Sequence, residues 1–406
     1  MVYNGLKMRR KRRTKTVSKL LLLPFILIVL GGSFNYLRPL PAPALSRTQI
    51  TSQLGTVSLD WPSDGSIAAI GAVGYGVLAS NGSSQFPTAS TAKLITALTV
   101  LKKMPLQLNE TGPTITITSN DVNIYNNYLS QDGSVTKVVV GEQISEYQAL
   151  QALLLPSADN IADTLAIWAF GSLQNYQLNA TQEIQSLGLS NTVVGTDASG
   201  LSPTTLSTPS DLVLLGSAAL QNPVIAQIVG QTSADLPNIG TVYNVNSLLG
   251  RDGIDGIKTG NSDQAGGVYL FSAPVEIGSQ TVTIVGAIVH SPNLNSATGS
   301  SINLLDSAKK GFTYQTPIVA GQKYGSYSTV WGAKATVIAK NNISLPVWDG
   351  VLLQPHVTFD NNVKPGVAGD IVGTVSVSSG TYHTSSPIIL GQNLNNPTFW
   401  WRLTRH

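Results

Sequence analysis

The residues best suited to covalent chemistry are Ser90 and Lys93, three positions apart in FPTASTAKLITALTVL, residues 86–101. In an α-helix, positions i and i+3 share a face, so a hydroxyl and an amine so spaced meet without help from distant segments. Leu94, Ala97, Leu98 and Leu101 follow at helical spacing, which predicts a helix with one face in a core. A lysine carried into that core loses hydration, its charged form is disfavoured, and the free amine can take a proton from a serine. The chemistry implied is nucleophilic, with serine attacking and lysine as base. A Ser-x-x-Lys tetrapeptide also arises by chance in a chain of this length, so the pair needs partners.

Two other clusters have suitable types. Ser157-Ala158-Asp159, within LLLPSADNIADTLA, puts a hydroxyl and a carboxylate just after Pro156. Lys258-Thr259-Gly260, within DGIKTGNSDQAGG, puts an ammonium and a hydroxyl beside a residue with no side chain. The first also has a plainer reading, because Ser157 or Asp159 could simply cap the helix that follows by accepting N–H bonds.

The hydrophobic pattern marks the elements that must hold these clusters. Residues 66–80 read as two buried strands joined at Gly74–Gly76, and residues 114–122 alternate as a half-buried strand. Residues 142–169 predict two helices flanking the turn at Pro156. Residues 173–222 read as helix, loop and helix, with Ser207 or Ser210 as caps. Residues 250–273 read as strand, turn and strand, residues 281–290 as a strand, and residues 300–312 as a helix. Together these imply an α+β fold in which helices cover an antiparallel sheet. From about Pro317 nearly every segment alternates at period two between glycine turns, which predicts a small all-β domain.

Composition narrows the chemistry. The 406 residues contain no cysteine, which excludes disulfides, thiolate metal sites and a cysteine nucleophile. The four histidines, His290, His356, His383 and His406, are scattered without an HExxH pattern, so no catalytic metal and no cofactor is expected. The net charge of +3 is misleading. Residues 1–20 hold eight Lys and Arg and no acid, and removing those eight from 24 leaves 16 against 21 Asp and Glu, a net of −5 over residues 21–406. Nothing in that acidic body recommends nucleic acid as a partner.

The basic start, residues 1–19, reads as a cytoplasmic segment, and residues 20–37 as an uncharged span. A helix of that length reaches about 27 Å, just enough to cross a bilayer core, and the basic run orients it with the remainder exported. It is either an uncleaved signal anchor in the plasma membrane or a signal peptide cut near Ala42-Pro43-Ala44. Pro39, Pro41 and Pro43 then mark residues 38–58 as a stiff linker. At the other end, Phe399, Trp400 and Trp401 with Arg402 and Arg405 suit either a membrane interface or packing on their own domain.

In order, the three clusters resemble the Ser-x-x-Lys, Ser-x-Asn and Lys-Thr-Gly signature of penicillin-binding proteins and serine β-lactamases. PTASTAKLITAL, LLLPSADNIADTLA, LGLSNTVVGTDASGLSPTTLST and DGIKTGNSDQAGG closely resemble the low-molecular-weight D-alanyl-D-alanine carboxypeptidases, serine peptidase family S11, over about residues 60–312. PGVAGDIVGTVSV and TFWWRL are similar to the C-terminal β domain that many of these enzymes carry. The resemblance implies a penicillin-binding, transpeptidase-like catalytic domain over residues 59–314 and a β domain with an aromatic tail over residues 315–406.

It also implies roles. Ser90 would attack the penultimate D-alanine carbonyl of a peptidoglycan stem peptide, Lys93 would be the base, and Ser157 would pass a proton to the departing D-alanine. Lys258 and Thr259 would hold the terminal carboxylate, Gly260 would keep the approach open, and backbone N–H groups of Ser90 and Asn261 would form the oxyanion hole. β-Lactams would acylate the same serine. Two positions depart from the family. GAVGYGVLASNGSSQF lacks the charged strand pattern expected before the first cluster, and Asp159 stands where an asparagine amide usually donates to substrate. Either Asn160 takes that role, or Asp159 serves as acceptor for Lys93 or Ser157.

Two rival readings remain. A class A-like β-lactamase uses the same three motifs, but no Glu-x-x-Leu-Asn follows Ser157 here, since Glu183 precedes IQSLG. A non-catalytic module that binds peptidoglycan is the other, motivated by Asp159.

Overall fold

The computed structural model describes residues 6–48 and 55–405, the stretch up to residue 21 as helix backbone only. Its centre is a five-stranded antiparallel sheet in the order Gly256–Ser262, Gly266–Ile277, Gln280–Ser291, Ile67–Ala72, Gly76–Ser80. The early hairpin thus adds to the edge of a meander formed some two hundred residues later. Both faces are covered, which explains the nearly unbroken apolar runs in these strands. Val268, Leu270, Val285, Ala287 and Ala69 face the core shared with most of the helices. Their alternating neighbours Tyr269, Phe271, Ile284, Ile288 and Ile70 face the helix Leu294–Lys310.

The nucleophile-candidate segment runs through the middle of the helical layer. Ala89–Ala92 forms a 3₁₀ turn that continues into the helix Lys93–Lys103. Every residue from Lys93 to Leu101 is buried, so this helix is central rather than one-faced as its periodicity predicts. Its two threonines make that possible by finding acceptors: Thr96 Oγ1 donates to Ala198 O at 2.6 Å and Thr99 Oγ1 to Ile95 O at 2.7 Å. Each fully buried leucine or isoleucine here contributes about 1.5–3 kcal/mol relative to exposure.

Several local expectations are corrected by capping chemistry. The strand expected over residues 114–122 is only Thr114–Thr116, because Thr118 and Asp121 form a capping box that opens the helix Ser119–Leu129. Thr208, rather than Ser207 or Ser210, caps the helix Pro209–Gln221. The later helix starts at Leu294, not Ser300, with Asn293 Oδ1 accepting Ser296 N–H at 3.0 Å.

Beyond it lies a six-stranded antiparallel sheet in the order Ala44–Arg47, Lys323–Ser328, Lys334–Ala339, Tyr382–Leu390, Ile371–Ser379, His356–Phe359. It has its own core around Tyr324, Val337, Val375 and Ile388. The linker reading of residues 38–58 therefore needs correction. Ala44–Arg47 is an edge strand pairing with Lys323–Ser328, because three prolines leave the following residues already extended. A two-stranded ribbon, Phe312–Ile318 with Ile343–Trp348, joins the two bodies, and its Trp348 packs on Phe312 with ring centres 5.0 Å apart. Among the described residues, no single helix is long and apolar enough to cross a membrane; the described apolar part of the helix Leu6–Leu37 is Leu22–Leu37.

Candidate active site

The helical spacing of Ser90 and Lys93 delivers the contact it predicts: Lys93 Nζ lies 2.7 Å from Ser90 Oγ. Lys93 is fully buried, and its nitrogen has two further neighbours, Asp159 Oδ1 at 2.6 Å and Ser199 O at 3.1 Å. Both are acceptors. An ammonium has three N–H bonds, one for each of these oxygens, and once one proton has left, the freed lone pair can face the Ser90 hydroxyl. Ala89, just before the nucleophile candidate, has φ of 44°, and Ser157 has φ of 65°. Left-handed backbone at non-glycine residues is strained and tends to gather at functional sites.

Ser199 has no signal in its side chain, because its contribution is a backbone carbonyl. The signal lies in its neighbours. The Asp197 carboxylate gathers Ser199 Oγ at 3.0 Å, Gly200 N–H at 3.2 Å and Ser202 N–H at 2.9 Å, folding the DASGLS segment into a turn. Gly200 has φ of 77°, and a Cβ there would lie 2.2 Å from Ala89 O, so this turn rests directly on the nucleophile turn. One helical turn after Asp159, Asp163 ties the same segment down. Its oxygens accept Ala198 N–H at 2.9 Å and the Tyr128 hydroxyl at 2.8 Å. Burial pushes the Asp163 carboxyl up to about 6, although both hydrogen bonds oppose the shift. Tyr128 is raised by burial first and by the Asp163 and Asp197 charges after it.

Helix Asp159–Phe170 has Ala158 as its N-cap residue with no side-chain cap bond, so neither Ser157 nor Asp159 acts as a cap. Ser157 is buried and its Oγ has no hydrogen-bond partner among the described residues. Of the two readings of Asp159, the structure favours the acceptor for Lys93. Asn160 is fully buried and spends its amide on Thr136, accepting the N–H and donating to the carbonyl, both at 2.9 Å. It therefore stands apart from the cluster.

Lys258, Thr259 and Gly260 lie on the sheet edge, paired with Leu270, Tyr269 and Val268. Lys258 is buried, and its Nζ donates to Thr259 O at 3.1 Å. Burial, and then the Lys93 charge, hold its ammonium well below the usual lysine range, with Asp159 opposing. A Cβ on Gly260 would sit 3.0 Å from Thr88 O and 3.2 Å from Ser90 N, so glycine lets this strand lie against the nucleophile turn. Asn261 follows at an exposed position of the same strand. His290, at the end of Gln280–Ser291, stacks on Phe86 with ring centres 4.1 Å apart.

A sequence profile of the D-alanyl-D-alanine carboxypeptidases, peptidase S11, matches residues 68–286. The chain belongs to this family. That makes it a serine peptidase, a hydrolase of D-alanyl-D-alanine ends. D-Alanyl-D-alanine carboxypeptidase DacA of Escherichia coli is 22% identical over 341 residues, which covers 78% of this chain and 79% of that one. DacB2 of Mycobacterium tuberculosis is 30% identical over 194 residues, 46% of this chain and 62% of its own. The crystal structure of penicillin-binding protein 5 from Haemophilus influenzae superposes with a TM-score of 0.57 at 18% identity, covering 86% of this chain and all of that one. That last likeness speaks for the fold, helical layer and β region included.

Proposed function

We propose that Ser90 removes the terminal D-alanine from peptidoglycan stem pentapeptides through an acyl-enzyme. The observation that carries the residue assignment is the position of Lys93 Nζ, 2.7 Å from Ser90 Oγ with two acceptors as its other neighbours. Ser90 Oγ attacks the penultimate carbonyl as its proton passes to Lys93. The negative oxygen that develops is received by the N–H groups of Ser90 and Asn261. Ser157 gives a proton to the leaving amine, the C–N bond breaks, and D-alanine departs. Water then takes the place of D-alanine and releases the shortened stem by the reverse proton route. Lys258 and Thr259 receive the terminal carboxylate at the open edge of the sheet. A β-lactam, which places a strained amide and a carboxylate in similar positions, acylates Ser90 and blocks it.

The apolar segment 20–37 and the basic run before it support a tether to the plasma membrane, with the catalytic part outside. The test of the activity is mass spectrometry of a pentapeptide before and after incubation. The expected product has lost one alanine residue, and Ser90→Ala makes none; an unchanged pentapeptide with wild-type protein would refute the reading.

A further inference from the structure

Where the apolar helix ends, three arginines crowd together with no anionic partner among the described residues. Arg38 follows the helix Leu6–Leu37, and Arg402 and Arg405 come from the far end of the chain, within and just after the short helix Phe399–Thr404. The two helices are packed together. Leu403 Cδ2 lies 3.3 Å from the place a Cβ would occupy on Gly32, Asn35 Nδ2 donates to Leu403 O at 3.2 Å, and Tyr36 stacks at a tilt on Phe399. Arg405 binds the helix end directly, with Nη2 donating to Asn35 O at 2.6 Å and Nη1 to Pro39 O at 3.2 Å.

Each guanidinium lies by an aromatic ring: Arg38 by Phe34, Arg402 by Tyr36 and Arg405 by Trp401. None has a carboxylate within ion-pair distance among the described residues. Desolvation, then the charges of Arg38 and Arg402, lower the Arg405 guanidinium from its usual range. Arg38, Arg405, Trp401 and Thr404 line a cavity of about 460 Å³. Beside it, Phe34, Leu37, Phe399 and Trp400 are exposed.

We propose that this collar binds the phosphate of an anionic phospholipid headgroup at the outer surface of the membrane. The inference rests on the reading of residues 20–37 as a membrane span. It follows from position as well as charge: the cationic cavity begins where the apolar surface stops, which is the depth at which lipid phosphates lie, and indole and phenol rings favour that same layer. The basic run at residues 7–19 lies at the opposite end of the helix and does not compete for this leaflet. Bound there, the lipid bridges the two ends of the chain and seats the β region on the bilayer.

The test uses the full chain in nanodiscs of equal phosphatidylglycerol and phosphatidylcholine, with lipid that stays bound after detergent transfer quantified by mass spectrometry. Phosphatidylglycerol is expected to be retained over phosphatidylcholine by about tenfold or more, in line with three arginines at the interface. Arg38→Gln/Arg402→Gln/Arg405→Gln is expected to bring that ratio near one, with penicillin acylation and pentapeptide hydrolysis unchanged. Arg38→Gln alone, which removes no hydrogen bond within the protein, is expected to lower the ratio several-fold and guards against a detached tail helix. Equal retention of both lipids by wild-type protein, or an unchanged ratio in the variants, overturns the proposal. Displacement of the lipid by millimolar inorganic phosphate would instead assign a free-phosphate site. Release of the chain from vesicles by alkaline carbonate would remove the membrane span and the lipid site together, leaving pentapeptide hydrolysis untouched.

Discussion

Lys93 and Asp159 form an ion pair with Nζ 2.6 Å from Oδ1, and both side chains are almost wholly shielded from water. The same lysine faces Ser90, so the pair links the base candidate to the position at which this chain departs from the Ser-x-Asn pattern. A carboxylate here accepts from the amine and, unlike an asparagine amide, has no N–H to donate.

Removing the carboxylate tests that trade. Asp159→Ala leaves a buried amine without its anion, and breaking such a pair costs about 3–5 kcal/mol. Asp159→Asn keeps an acceptor for Lys93 and restores an amide donor, so it is expected to fold and to change the rate of acylation by penicillin. Calorimetry and acylation kinetics on the two variants check this. Unchanged stability in the alanine variant would contradict the pairing, and an unchanged rate in the asparagine variant would show that the position is not tuned.

Lys258 gives a pH dependence of defined sign. Its ammonium is held well below the usual lysine range, so it loses charge as pH rises through that lowered value. The KM for a pentapeptide is expected to rise as pH rises through that lowered value and the carboxylate anchor is lost, with kcat moving less. Lys258→Arg keeps its charge and is expected to flatten the KM profile. Steady-state kinetics that show the same slope in both proteins would remove Lys258 from carboxylate binding.

A stability prediction comes from outside the cluster. Glu146, at the start of the helix Glu146–Leu154, is fully buried and neither carboxylate oxygen has a hydrogen-bond partner. Burial pushes it up to about 7 from 4.5. A raised carboxyl contributes stability that is full below the unfolded value and is lost as pH rises through the folded one. Glu146→Gln removes that titration. Its stability relative to wild type is expected to improve by ~2 kcal/mol between about pH 5 and pH 8, read by denaturant unfolding at each pH. A difference that stays constant would mean that Glu146 does not titrate in this range.

Gly260 makes a steric prediction. A methyl group there meets Thr88 O, Ala89 Cβ and Ser90 N at 3.0–3.2 Å, so strand and nucleophile turn must separate by a few tenths of an ångström. Gly260→Ala is expected to slow acylation by tenfold or more, since misplacement by an ångström can cost about a hundredfold. Thermal stability should fall only modestly. Stopped-flow acylation at the wild-type rate would argue against the closeness of this approach.

The contact between Ser90 and Lys93 was legible because helical spacing places side chains, and side chains are what a sequence spells out. Ser90 and Lys93 meet for local reasons, whereas only the family resemblance groups Ser157 with them. Ser199 was not legible, since a carbonyl group carries no residue signature, and its position depends on Asp197 and Asp163 acting from two separate segments. The choice between Asp159 and Asn160 was open for a similar reason: only the pairing with the Thr136 backbone shows that the Asn160 amide is occupied. In the fold, alternation identified the strands well, while caps such as Thr118 with Asp121 overrode it. The strand at Ala44–Arg47 depends on a partner almost three hundred residues away, which no local pattern reveals.

In the proposed reaction Ser90 forms an acyl-enzyme with Lys93 as its base. It is tested most directly by incubating the full chain with a penicillin, digesting it and locating the adduct by mass spectrometry. One penicilloyl group is expected on the peptide containing Ser90, absent in Ser90→Ala and formed at least about a hundredfold more slowly in Lys93→Ala, the scale of loss expected when a general base is removed. An adduct on another residue, or one formed at the wild-type rate without Lys93, would contradict it.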